Sequence, residues 1–313
     1  MLQIAGHHHI SMITKNAQQN HHFYNEILGM RRVKKTVNQD DPSMYHLFYG
    51  DLTGSPGTEL SFFELPAVGR TLRGTNAITR IGLLVPSIES LHYWKERLAS
   101  FDVTHGELTT YIGRAALHFE DKDGLQLVLL HVNDDEVPEY WTAWGGSAIP
   151  LEHRILGMGA VEMTVQSSSS LAQTLEQIFG YTFAGHTEQG WLYQSVKDKA
   201  YGEIVVVERD GPKERAGRGS IHHLAIRVQN GEQLRQWHDR ISQHGFKVMK
   251  ITDRYYFESL YFKEHNGIVF ELATDGPGFT VDSSIEELGQ RLDLPPFLED
   301  RRAEIEAQLV PIE

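Results

Sequence analysis

Gly6-His7-His8-His9-Ile10-Ser11, Ile221-His222-His223-Leu224-Ala225 and Gly267-Ile268-Val269-Phe270-Glu271-Leu272 decide how this chain reads. Each is a short strand-like stretch. Two carry histidine in nearly the same setting, and the third carries a glutamate. Two imidazoles and one carboxylate turned toward a common cavity make the ligand set of a non-haem Fe(II) site. The stretches therefore point to a chemistry as well as a shape.

Around them lies a repeat. His22-Phe23-Tyr24-Asn25-Glu26-Ile27-Leu28-Gly29-Met30 recurs in outline as Gln173-Thr174-Leu175-Glu176-Gln177-Ile178-Phe179-Gly180-Tyr181. Both look like the end of an amphipathic helix closed by a left-handed glycine cap. A second pairing sets Arg80-Ile81-Gly82-Leu83-Leu84-Val85 against His223-Leu224-Ala225-Ile226-Arg227-Val228. The same offset pairs Trp94 with Trp237, Arg97 with Arg240, and Asp123-Gly124 with Asn266-Gly267. The chain thus reads as four strand–helix–strand–strand–strand units. Units one and two fill an N-terminal module, residues 1–132. Residues 133–154, with Asp134-Asp135-Glu136, Pro138 and Pro150, form a linker. Units three and four fill a C-terminal module, residues 155–280, and residues 281–313 form an extension. Helix starts are expected at Asn16, Ser87 and the Ser167–Ser170 run. A helix is expected over Glu299 to Leu309, with Leu298, Ile305 and Leu309 on one stripe. The tryptophans read as helix core, and no nucleotide-binding glycine motif is present.

Composition narrows the function classes. The chain has 313 residues, 40% hydrophobic, with no cysteine and a formal net charge of −13. The length suits two modules of ordinary size. Lack of cysteine removes disulfides, thiolate zinc sites and thiol nucleophiles. An acidic chain repels phosphate backbones, so nucleic acid is not an expected partner. No apolar run approaches the roughly 18 residues of a membrane helix, and Met1 to Gly6 does not look like a signal peptide. A cytoplasmic protein with a small-molecule ligand is the expectation. His7-His8-His9 sits inside a β-like run and reads as native sequence, not as a tag.

Strand parity sorts the candidates, because alternate side chains face opposite sides of a sheet. Leu224, Ile226 and Val228 are the packing face, so His223 faces the other way and is preferred over His222. Phe270 and Leu272 pack, which turns Glu271 outward. Leu60 and Phe62 pack, which turns Glu59 outward. For His9 parity decides less, since Ile10-Met12 and Ser11-Ile13 are both partly apolar. His7, His8 and His222 read as packing groups or as outer partners of a metal-bound imidazole.

This pattern of paired units, with histidine near a first strand and glutamate near a last one, resembles the vicinal oxygen chelate superfamily. That group includes glyoxalase I, extradiol ring-cleaving dioxygenases and bleomycin-resistance proteins. Val33-Lys34-Lys35-Thr36-Val37-Asn38-Gln39-Asp40-Asp41-Pro42, Tyr45-His46-Leu47-Phe48-Tyr49-Gly50-Asp51, Gly54-Ser55-Pro56-Gly57-Thr58 and Phe270 to Phe279 look more narrowly like two-module bacterial ring-cleaving dioxygenases linked to methylhydroquinone degradation. The resemblance covers the whole chain. It implies an α+β fold of four βαβββ units in two glyoxalase-like modules with curled mixed sheets, plus a C-terminal helical extension.

It also implies a site. His9, His223 and Glu271 would be metal ligands. His9 comes from unit one and the other two from unit four, so one site would lie between the modules. The mirror site, at about Gly159, Arg80 and Val128, could hold no metal. Tyr261, ten residues before Glu271, matches a tyrosine of the extradiol enzymes. Asp253-Arg254 stands where those enzymes have a histidine, and Glu264-His265 replaces their Asp/Glu-Pro pair. The acid–base role therefore passes to His46 or Arg254. Glu59 matches a glyoxalase I carboxylate. As a fourth ligand it would give a Ni, Co or Zn Lewis-acid centre; outside the sphere it leaves positions open for a diol and O₂. The resemblance implies an Fe(II) enzyme, with Mn, Ni, Co or Zn as alternatives, that cleaves the ring of a small aromatic diol or quinol with O₂. A glyoxalase-like lyase or isomerase and an aromatic-toxin-binding resistance protein stay open as alternatives. So do a lone chain and a homodimer joined through the extension.

Overall fold

A computed structural model describes residues 2–133 and 137–312; the acidic run Asp134-Asp135-Glu136 lies outside the described residues. Unit one comprises β1 (His7–Thr14), α1 (Ala17–His21), β2 (Arg31–Val37), β3 (Tyr45–Gly50) and β4 (Glu59–Glu64). Unit two comprises β5 (Ala77–Val85), α2 (Ile88–Ser100), β6 (His105–Tyr111), β7 (Arg114–Glu120) and β8 (Gln126–His131). Unit three comprises β9 (Gly157–Val165), α3 (Ser168–Gln173), β10 (Thr182–His186), β11 (Trp191–Gln194) and β12 (Glu203–Glu208). Unit four comprises β13 (Ile221–Val228), α4 (Gly231–Gln243), β14 (Thr252–Asp253), β15 (Phe257–Lys263) and β16 (Val269–Pro277). Two short helices, α5 (Pro296–Glu299) and α6 (Arg302–Gln308), follow.

The strands form two eight-stranded mixed sheets. One has the order β14-β15-β16-β13-β1-β4-β3-β2, the other β10-β11-β12-β9-β5-β8-β7-β6. Each sheet takes one unit from each half of the chain, joined by antiparallel pairing of the units' first strands, β1 with β13 and β5 with β9. Within a unit the first and last strands run parallel, as β1 with β4 and β13 with β16. The helices cover one face of each sheet. Trp94 of α2 and Trp237 of α4 are buried there, consistent with apolar helix stripes packing on apolar strand faces.

Asn16 and Ser87 cap their helices through side-chain acceptors bonded to Gln19 N and Ser90 N, and Ser167 occupies the same position before α3. Gly29 and Gly180 take the expected left-handed conformation, but the helical turns before them differ from expectation. α1 and α3 widen into π-helical turns, His22–Ile27 and Thr174–Phe179, before the left-handed glycine. The wider turn inserts one extra residue per turn, which simple 3.6-residue spacing does not signal. The expected helix over Glu299 to Leu309 breaks at Asp300-Arg301, though Leu298, Ile305 and Leu309 are buried as the stripe requires.

The segment after β16 straps the free edge of β2. Asp293 N bonds Lys35 O, Arg32 Nε donates to Gly289 O, and Arg31 reaches the carbonyls of Ile285 and Glu286. Under the strap, the fully buried Lys34 ammonium lies 2.7 Å from Asp282 Oδ1 and 2.8 Å from Asp293 Oδ2. An edge strand covered in this way exposes no ladder to another chain.

Candidate functional site

A cavity of about 520 Å³ opens on the face of the first sheet opposite the helices, lined by residues from both unit one and unit four. Strand alternation sets its depth. His9, Ser11 and Ile13 of β1 all face it, and two residues advance a strand by roughly 7 Å. At the inner end three ligand atoms converge. His223 Nε2 lies 2.8 Å from Glu271 Oε2, His9 Nε2 lies 3.2 Å from the same oxygen, and the two Nε2 atoms are 3.4 Å apart. All three residues are buried. Glu271 Oε1 accepts the Ser259 hydroxyl, whereas the buried Oε2 makes no hydrogen bond. A buried carboxylate oxygen without a donor is costly, and a cation between the three atoms would satisfy it. Ligands about 2.1 Å from one centre stand about 3.0 Å apart in an octahedral sphere and about 3.4 Å apart in a tetrahedral one. The three edges lie close to that range, so these residues fit a metal.

Electrostatics agree with the geometry. Burial lowers the His223 imidazole, favouring the neutral form that offers a lone pair. Burial alone would raise the Glu271 carboxyl, but His9 and His223 beside it outweigh that and hold it well below the usual carboxylate range.

The other candidates divide. Tyr261 stands opposite Glu271 on β15, its ring 5.5 Å from that of His223. Burial, then the Glu271 charge, pushes its phenol well up, so it stays a donor. His46 lines the cavity between Phe48 and Phe63, both 4.1 Å away by ring centroids, with Nε2 3.2 Å from Ser61 Oγ. Burial, then His9 and His223, pushes its imidazole well down. Arg254 sits at the mouth, Nη2 3.0 Å from Asp40 Oδ2, and its carbonyl accepts the Gln39 side chain. Glu59 lies behind His9. Its Oε1 is 3.6 Å from His8 Nδ1, and among the described residues it groups with His8 and His9, not with His223 or Glu271. Burial, then Asp51 and Glu271, pushes its carboxyl well above the ordinary range.

Ser259 carries no reading from the sequence, and Ser11 and Ser61, the latter on the outward parity of Glu59, are given no role there. Ser259 shares the cavity-facing parity of Tyr261 on β15, which is a signal that alternation alone could have supplied. Ser11 Oγ and Ser61 Oγ lie 2.6 Å apart on the cavity floor.

The second sheet repeats the scaffold without the chemistry. Its strand register places Ala160, not Gly159, where His9 stands, with Arg80 for His223 and Val128 for Glu271.

The profile of the Glyoxalase/Bleomycin resistance protein/Dioxygenase superfamily matches residues 6–129 and 153–272. The chain belongs to this superfamily. It is 48% identical over 318 residues, covering all of both chains, to "Putative ring-cleaving dioxygenase MhqA" of Bacillus subtilis (strain 168). It is 27% identical to the chlorohydroquinone/hydroquinone 1,2-dioxygenase of Sphingobium indicum, covering 97% of this chain and 95% of that one. Among solved structures, a putative dioxygenase from Bacillus subtilis superposes with a TM-score of 0.92 at 32% identity, covering 100% and 99% of the two chains. Glyoxalase I from Zea mays superposes at 0.64 with 12% identity, covering 86% and 92%, a likeness of fold alone. No helix among the described residues is long and apolar enough to cross a membrane.

Proposed function

We propose that this protein is a metal-dependent ring-cleaving dioxygenase of the extradiol type, acting on a hydroquinone or catechol. The observation that carries the reading is the convergence of His9 Nε2, His223 Nε2 and the unbonded Glu271 Oε2 at the inner end of a cavity large enough for an aromatic ring. Two histidines and one carboxylate are the facial set that suits Fe(II) and leaves coordination positions free. A metal bound there would bring the diol and O₂ together and supply the charge transfer that ring opening with O₂ needs.

The remaining residues supply orientation and hydrogen bonding. Phe48, Phe63 and Phe257, with His46 held between the first two, give the cavity an aromatic lining beside the triad. Tyr261, held as a phenol, donates to a substrate oxygen. His46, held neutral, accepts a hydrogen bond from a phenolic hydroxyl at its other ring nitrogen. Arg254, which is paired with Asp40, and Lys263 both line the cavity and offer N–H donors to a phenolate. The grouping of Glu59 with His8 and His9 favours three protein ligands over the four of a glyoxalase-like centre.

The test is metal analysis of anaerobically purified protein, then oxygen uptake with a panel of hydroquinones and catechols. Uptake with at least one diol, accompanied by loss of ring absorbance, is expected. A metal-loaded protein that consumes no oxygen with any of them would overturn the reading.

A further inference from the structure

The two histidine pairs lie on two β-bulges. Along β1 and β13, His7 faces Ile226 and Ile10 faces Leu224, so three steps on β1 meet two on β13. Ser11 then faces His223 and Met12 faces Ile221, so one step on β1 meets two on β13. The extra residues fall at His8-His9 and at His222. In a regular strand adjacent side chains point apart; a bulge kinks the strand and re-aims them. Here it brings adjacent rings together twice, in nearly one geometry. His8 and His9 have centroids 5.1 Å apart at 83°, and His222 and His223 have centroids 5.0 Å apart at 81°. The Nδ1–Nδ1 distances are 3.0 Å and 2.7 Å.

A neutral imidazole has one N–H and one lone pair, so each close Nδ1–Nδ1 contact shares a single proton. On β1 its owner follows from the next link. His8 Nε2 lies 3.1 Å from the carbonyl oxygen of Thr274, which only accepts. His8 therefore carries its hydrogen on Nε2 and presents a bare Nδ1. The shared proton belongs to His9 Nδ1, and the His9 Nε2 lone pair is left facing Glu271. On β13 the assignment with exposed His222 as acceptor is carried over from the matching ring geometry.

We propose that His8 and His222 are positioning residues, each holding the Nδ1–H of the histidine that follows it and thereby presenting the Nε2 lone pairs of His9 and His223 to a cation. This rests on the metal reading above. The second sheet adds an independent observation. Its β5–β9 pair has bulges at the corresponding places, Thr79 and Gly159-Ala160, without histidine. The bulges belong to the fold, and the first sheet has histidine pairs set on them.

His222 gives the cleaner test because it is exposed. Co²⁺ affinity of the intact protein would be measured by competition with a chelator, alongside ¹⁵N spectra of histidine-labelled protein. His222→Leu removes the acceptor and should weaken Co²⁺ binding by about 10- to 100-fold, with mixed His223 tautomers and an unchanged circular dichroism spectrum. His222→Asn keeps an acceptor oxygen and should recover most of the affinity. Wild-type affinity in His222→Leu, with one equivalent still bound, would overturn the positioning role alone. A wild-type protein that binds no Co²⁺ would overturn both readings.

Discussion

Arg80 Nη1 lies 2.8 Å from Glu162 Oε2 where the second sheet would otherwise carry its own imidazole. Tyr111 and Thr79 donate to the same carboxylate at 2.8 and 2.7 Å. Across the face, Arg114 forks onto Glu203 at 2.6 and 3.1 Å. Cations already neutralise these carboxylates, and among the described residues no group of metal-ligating side chains gathers on this face. Metal analysis should return one equivalent per chain; two equivalents in matching pockets would contradict this.

Glu271 and Glu59 should respond oppositely to loss of charge. Glu271→Ala removes the oxygen that both ligand histidines face, and stoichiometric metal should be lost with it. Glu59→Gln replaces a carboxyl pushed toward its neutral form by burial, so metal and oxygen uptake with an aromatic diol should both persist. Metal loss from Glu59→Gln, measured by elemental analysis, would restore the four-ligand alternative.

Tyr261→Phe deletes one donor beside the triad while leaving the ring packing in place. The expected result is bound metal at wild-type level with kcat lower by about 100-fold. Unchanged kcat would remove Tyr261 from the chemistry and leave it as a strand aromatic.

Lys34→Met should unfold the protein more readily by about 3 to 5 kcal/mol, because it strands Asp282 and Asp293 under the strap without their cation. Urea denaturation at neutral pH measures it. A change below about 1 kcal/mol would mean that solvent reaches those carboxylates.

Asp121 gives a pH signature away from the site. It accepts Tyr24 OH at 3.0 Å, tying the first helix region to the β7–β8 turn. Burial pushes its carboxyl up from 3.8 to about 6. A raised carboxyl binds its proton more tightly in the folded state. Its contribution is therefore full below about pH 4 and is lost as pH rises through about 6. Wild-type stability relative to Asp121→Asn should fall between those limits in thermal melts. A pH-independent difference would refute the shift.

Much of the architecture was legible because it is periodic. The unit repeat, the helix caps at Asn16 and Ser87, and the outward parity of His223 and Glu271 follow from spacing alone. Parity faltered at His9 for a physical reason, since a bulge there breaks the two-residue period and makes both faces look mixed. The same device escaped notice at His222, which alternation sends away from His223 but which the bulge brings to 2.7 Å. The pairing of Lys34 with Asp282 and Asp293 left no trace, because charged residues roughly 250 positions apart carry no local pattern. The π-helical turns were missed because one extra residue in a short helix looks like ordinary scatter.

The order in which the units pair has a consequence for how the chain is made. The second sheet draws on the middle of the sequence, β5 to β12, and can close while synthesis is still under way. The first sheet joins the opening unit to the last, and His9 and His223 are 214 positions apart. Until β13 emerges, β1 waits with a bare hydrogen-bonding edge, the kind of surface that recruits unrelated strands. Long-range pairing of this sort is also slow. The edge of β1 thus stays bare until unit four is made, and the triad, which also needs β16, assembles only then.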